Sequence, residues 1–128
     1  MPLPALRVRR IVRTVLARER RVASISVTFV GPAAMRRLNA KWKGHDAPTD
    51  VLSFAWPSPA GGLTGDVYIC AAVGRSQARR HGAPVPGELT RLVVHGTLHV
   101  LGHDHPEGPG RTRSEMWRRQ ERYVKALT

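Results

Sequence analysis

The sequence holds a single cysteine, Cys70, in 128 residues. That excludes an internal disulfide framework and any cysteine-based zinc finger, and it makes a cytoplasmic location the expectation. Acid is also scarce: 9 Asp and Glu stand against 21 Lys and Arg, for a formal charge of +12. Aromatic residues make up 5% of the chain, among them Trp42, Trp56 and Trp117. No apolar run approaches the roughly 20 residues of a membrane span, so no membrane partner is expected. Hydrophobic residues at 41% with charged residues at 23% fit neither a disordered chain nor a coiled coil.

What is present first is positive charge. A surface of that sign attracts polyanions and raises their encounter rate. Nucleic acid therefore leads the candidate partners.

The length predicts one domain, which can bury roughly two-thirds of its unfolded surface. Leu3 to Arg20 has apolar residues at helical spacing (Leu6, Ile11, Val12, Val15, Leu16) amid arginines. It is read as part of the fold with a basic solvated face, not as a transit peptide. Alternation at Ile25, Val27 and Phe29 predicts a half-buried strand, and Gly31-Pro32 opens a helix to about Trp42. A polar loop runs from Lys43 to Asp50. Val51 to Trp56 and Thr64 to Cys70 read as strands that pair in a hairpin. Helices are predicted for Ala71 to His81 and Glu88 to Leu101. A last one starts near Thr112, with Thr112 and Glu115 at capping-box spacing, and runs to about Leu127. The order α-β-α-β-β-α-α-α makes one α/β domain over 1–128. It predicts a small mixed sheet packed with helices and a metal site at the C-terminal end of a core helix.

Four of the six histidines fall in His95-Gly-Thr-Leu-His99-Val-Leu-Gly-His103-Asp104-His105. His95 and His99 share a helix face one turn apart, a spacing that suits two imidazoles on one zinc. Gly102 ends the helix and lets the chain fold back, so His105 can supply a third ligand. Three protein ligands leave a fourth position for water, the pattern of a catalytic zinc site. His103 stands next to His105 and is an alternative ligand, although its place after the glycine aims it outward. Asp104 is a candidate acceptor for an imidazole N–H, a base, or a cap for local backbone. His45 and His81 are isolated and read as surface residues.

His95, His99, Gly102 and His105 have the spacing of the metzincin zinc proteases, H-E-x-x-H-x-x-G-x-x-H, with one change. Gly96 stands where those enzymes carry their general-base glutamate. Peptide hydrolysis is thereby disfavoured, and a zinc hydrolase of another kind is left.

The run His95 to His105, with Pro48-Thr-Asp-Val-Leu-Ser-Phe54 and Gly65-Asp-Val-Tyr-Ile-Cys70 before it, resembles the YbeY family of bacterial endoribonucleases. The three motifs occur in family order. The resemblance implies a compact α/β fold and one zinc per chain held by His95, His99 and His105. It also implies cleavage of single-stranded RNA in 3′-end maturation of small-subunit (16S) ribosomal RNA and in ribosome quality control. Precursor rRNA and the small ribosomal subunit would be the partners. The family's functional arginine before the second motif corresponds to Lys43, which keeps the charge but loses the bidentate fork. Two other readings stay open: a small zinc protease, and a ribosome-associated RNA-binding factor with a structural metal. Core packing is expected for at least two of the three tryptophans.

Overall fold

In the computed structural model, which describes residues 2–105, 108 and 110–128, the chain begins with α1 (Ala5–Glu19), β1 (Ala23–Val30) and α2 (Pro32–Lys43). The hairpin strands β2 (Val51–Pro57) and β3 (Leu63–Cys70) follow, then α3 (Ala71–Arg80) and α4 (Val85–Val100). A short 3-10 turn at Arg111–Arg113 leads into α5 (Glu115–Leu127). The predicted order holds. The sheet is mixed: β3 is central, parallel to β1 and antiparallel to β2, in the order β1-β3-β2.

Two boundaries differ from expectation. Helix α4 begins at Val85, ahead of the expected Glu88, because Pro86 falls in the first turn, where no backbone donor is needed. The Thr112–Glu115 capping box does not form. Thr112 lies inside the 3-10 turn, and Ser114 caps α5 instead, its Oγ accepting the Trp117 N–H at 3.1 Å.

The core gathers around α4. From Glu88 to Val100 that helix is buried except at Arg91 and His99, so it reads apolar nearly all round. Its Leu89, Val93, Val94 and Leu98 meet Ile11 and Val15 of α1, Val67 and Ile69 of β3, and Met116 and Val124 of α5. A smaller cluster lies on the sheet's other face, where Met35 of α2 meets Leu52 and Cys70.

Helix and sheet touch at Gly96. A Cβ there would collide with the Val67 side chain and stand 3.2 Å from Ser53 Oγ. Ser53 in turn donates to the Gly96 carbonyl at 3.2 Å, pinning α4 to β2. This contact fixes the height of His95 and His99 above the sheet edge. Among the described residues, no helix is long and apolar enough to cross a membrane.

Candidate metal centre

His95 lies on the face of α4 that turns toward α5 and is 7% exposed, while His99 and His105 are half-buried. Gly102, at φ +96, ends α4 in a conformation open to glycine. The Gly102 N–H donates to the His99 carbonyl at 3.0 Å and the His103 N–H to the Leu98 carbonyl at 3.0 Å. That paired closure is the Schellman motif, and it turns the chain back so that His105 returns to the helix end. The three rings lie 4.6 to 5.1 Å apart by centroid. One ligand nitrogen from each lies within 4.8 Å of the others.

The orientation of His95 is set by a chain of polar contacts. Arg91 grips both oxygens of Glu121 at 2.8 Å and one of Glu88 at 2.9 Å. Glu121, an acceptor only, takes a hydrogen bond from the Gln120 amide nitrogen at 3.0 Å. The amide oxygen of Gln120 is therefore left for His95, whose Nδ1 lies 2.5 Å away. Nδ1 must be the donor, which leaves the Nε2 lone pair for a cation. A cavity of about 460 Å³ opens beside this pair, with Asp50, Arg91, Arg111 and Trp117 on its walls.

Burial favours the neutral form of His95 and His99. Burial pushes His95 down to about 4; its hydrogen bond to Gln120 and the charge of Asp50 oppose the shift, while His99 and His105 add to it. His99 is lowered as well, first by burial, then by His105, with the Lys43 ammonium contributing. A prepositioned set of three imidazoles fits a borderline cation such as zinc, which takes nitrogen ligands and loses to protons where they compete.

His95, His99 and His105 come together, and the group that can hold a metal does not include His103. His103 does not point into solvent; its Nε2 lies 2.6 Å from Glu19 Oε1 of α1. Glu19 also takes hydrogen bonds from Arg119 at 2.9 Å and Tyr123 at 2.5 Å. Asp104 accepts the His105 N–H at 2.8 Å, the local backbone cap among its expected roles. Lys43 is exposed at the end of α2, its Nζ 5.5 Å over the Phe54 ring. His45 and His81 are exposed, as expected.

The tryptophan expectation fails: Trp42 is 58% and Trp56 43% exposed. Gln120 and Glu19 had no signal in the sequence, since neither sits in a motif and each acts across 25 residues or more. Asp50 lies within the Pro48–Phe54 run, and its Oδ1 accepts the Val51 N–H at 2.8 Å, bracing the loop before β2.

The family model for endoribonuclease YbeY matches residues 4–128. The chain belongs to the YbeY family. Curated relatives named endoribonuclease YbeY include one from Anaeromyxobacter sp. (strain Fw109-5), 46% identical over 85 residues, 65% of this chain and 44% of that protein. Another, from Alkalilimnicola ehrlichii, is 44% identical over 88 residues, 65% of this chain and 53% of that protein. A third, from Chromohalobacter salexigens, is 43% identical over 84 residues, 63% of this chain and 54% of that protein. The chain thus spans about half the length of these curated relatives. Among solved structures, the solution structure of a Thermotoga maritima protein superposes with a TM-score of 0.66 at 27% identity. That match covers 94% of this chain and 78% of the other. The YbeY motifs read from the sequence, Pro48–Phe54, Gly65–Cys70 and His95–His105, all lie inside the family match.

Proposed function

We propose that this chain is a zinc-dependent endoribonuclease domain over residues 1–128 that cleaves single-stranded RNA. Its substrate is precursor rRNA, in 3′-end maturation of the small-subunit (16S) RNA and in ribosome quality control, with the small ribosomal subunit as partner in the cytoplasm. The observation that carries this reading is the convergence of His95, His99 and His105 in a chain of charge +12. Those three imidazoles hold one zinc. The metal supplies Lewis acidity, polarising a phosphoryl oxygen and lowering the pKa of water.

The protein's own groups do the rest. Gln120 holds the His95 ring in one tautomer. Lys43 places a point charge near the scissile phosphate and offsets negative charge that builds on its oxygens. Exposed arginines supply affinity without reading sequence.

Two contacts favour this reading over its rivals. Gly96 packs on Val67, so the helix has no room for the glutamate base of a zinc protease. His103 is engaged by Glu19, which argues against a closed four-ligand structural site.

The test is incubation of zinc-loaded protein with labelled single-stranded RNA, matched duplex RNA and an unfolded polypeptide. Internal cleavage of the single strand, lost on chelation, is expected. Peptide hydrolysis that survives the loss of all RNA cleavage would favour the protease. RNA binding without cleavage would favour the structural-metal reading.

A further inference from the structure

Exposed aromatic residues are costly unless something covers them. Trp42 and Trp56 are both exposed, and Phe54, packed in the cluster on the side of the sheet away from α4, touches Trp42. Trp42 meets Phe54 edge-on with centroids 6.0 Å apart, and Phe54 meets Tyr68 in the same way at 6.1 Å. Phe54 and Trp56 are two residues apart on β2, so they share a face, about 7 Å apart along the strand.

Cations stand among these rings. Lys41 Nζ lies 5.0 Å over Trp42, and Lys43 Nζ lies 5.5 Å over Phe54. The strand carrying the row is an edge strand, unpaired on its outer side. On its other face Ser53 is bonded to the turn of α4 that carries the histidines. Ser53 and Phe54 are neighbours on β2, so the row crosses the strand one residue from that contact.

From these contacts we infer that the Trp42–Phe54–Trp56 row is a stacking track for unpaired bases of the RNA strand on one side of the scissile bond. The inference rests on the RNA reading above. Charge selects the occupant: rings interleaved with ammonium groups suit a polyanion with flat, unpaired bases, whereas an apolar peptide would leave both lysines uncompensated. Asp66, which pairs with Phe54 across the strands, stands beside the stack as an acceptor suited to a base amino group. Stacking recognises any base by its face, so the track gives grip and strand selectivity and little sequence preference. A duplex hides those faces, which ties the track to single strands.

The experiment is steady-state cleavage of a short single-stranded RNA, with one abasic nucleotide moved along the strand. Variants Trp42→Ala, Trp56→Ala and Trp56→Phe are compared in zinc-loaded protein of equal metal content. One base is worth about 1–3 kcal/mol of stacking, so each alanine variant should raise KM roughly tenfold with kcat nearly unchanged. Trp56→Phe should restore most of the loss. Abasic substitution should raise KM at one to three positions on one side of the cleavage site, and Trp42→Ala with Trp56→Ala should erase that position dependence. Parental KM in both alanine variants, or an abasic profile flat in the parent, would overturn the track while leaving the nuclease reading in place. Failure of the parent to cleave any RNA would overturn the nuclease reading, and the track with it.

Discussion

Gln120 accepts the Nδ1 proton of His95 across 2.5 Å, joining α5 to α4 at the deepest corner of the metal centre. The Gln120 side chain has no freedom to turn, because its nitrogen is committed to Glu121 and Glu121 to Arg91. An ion pair one helical turn away thus decides which nitrogen of His95 faces a cation.

Gln120→Leu should therefore weaken zinc binding by about 10- to 100-fold, the usual cost of losing an outer partner of a metal-binding histidine. Competition against a chromogenic chelator measures it. Unchanged affinity would mean that packing alone orients the ring.

Gly96→Ala tests the contact between helix and sheet. Helix propensity alone favours alanine by about 1 kcal/mol. The collision with Val67 acts the other way and should win, with a net loss of about 1–3 kcal/mol in urea unfolding. A stabilised variant would mean that α4 can lift from β3 without cost.

Glu19 governs acid stability. Burial pushes its carboxyl up, but hydrogen bonds from Tyr123, His103 and Arg119 outweigh burial and leave it below the ordinary value of 4.5. The folded state therefore holds this proton less tightly than the unfolded chain. Its stabilisation is complete above the unfolded-state value and is lost as pH falls through the lower folded one. Glu19→Gln should cost about 1.5–3 kcal/mol at pH 7, as for hydrogen bonds to a charged group, and less at pH 3. Denaturant midpoints for both proteins across that pH range check it; a constant difference would contradict the assignment.

Lys43→Ala should lower the rate of RNA cleavage while zinc content and stability hold, since the side chain is exposed. Lys43→Arg should match or exceed the parent, because the guanidinium can grip a phosphate with two donors. A parental rate in Lys43→Ala would make Lys43 a bystander and move the phosphate contact to the arginines of α1 and α2.

Much of this was legible in the sequence because it is local. Alternation at Ile25, Val27 and Phe29, the proline after Gly31 and the glycine after Leu101 each act on neighbouring backbone, and all the elements appear in the expected order. The three histidines were legible for the same reason: a helix and one tight reversal bring them together. Gln120 and Glu19 were not, because contacts across 25 and 84 residues depend on how α5 and α1 pack against α4. His103 shows the limit well. Its position after Gly102 fixed where the chain turns, but the partner that draws the ring away from the cluster comes from the other end of the chain. The tryptophans failed for a different reason, since ring size alone does not say that a sheet face stays open.

The most direct measurement is zinc per chain in the parent and in His99→Ala, with RNA cleavage read on the same samples. One equivalent in the parent is expected, with cleavage that chelation removes and zinc restores. His99→Ala should keep its circular dichroism spectrum and lose both metal and cleavage, because two imidazoles with water make a weak site. Stoichiometric zinc in His99→Ala, or full cleavage by metal-free parent, would contradict the account.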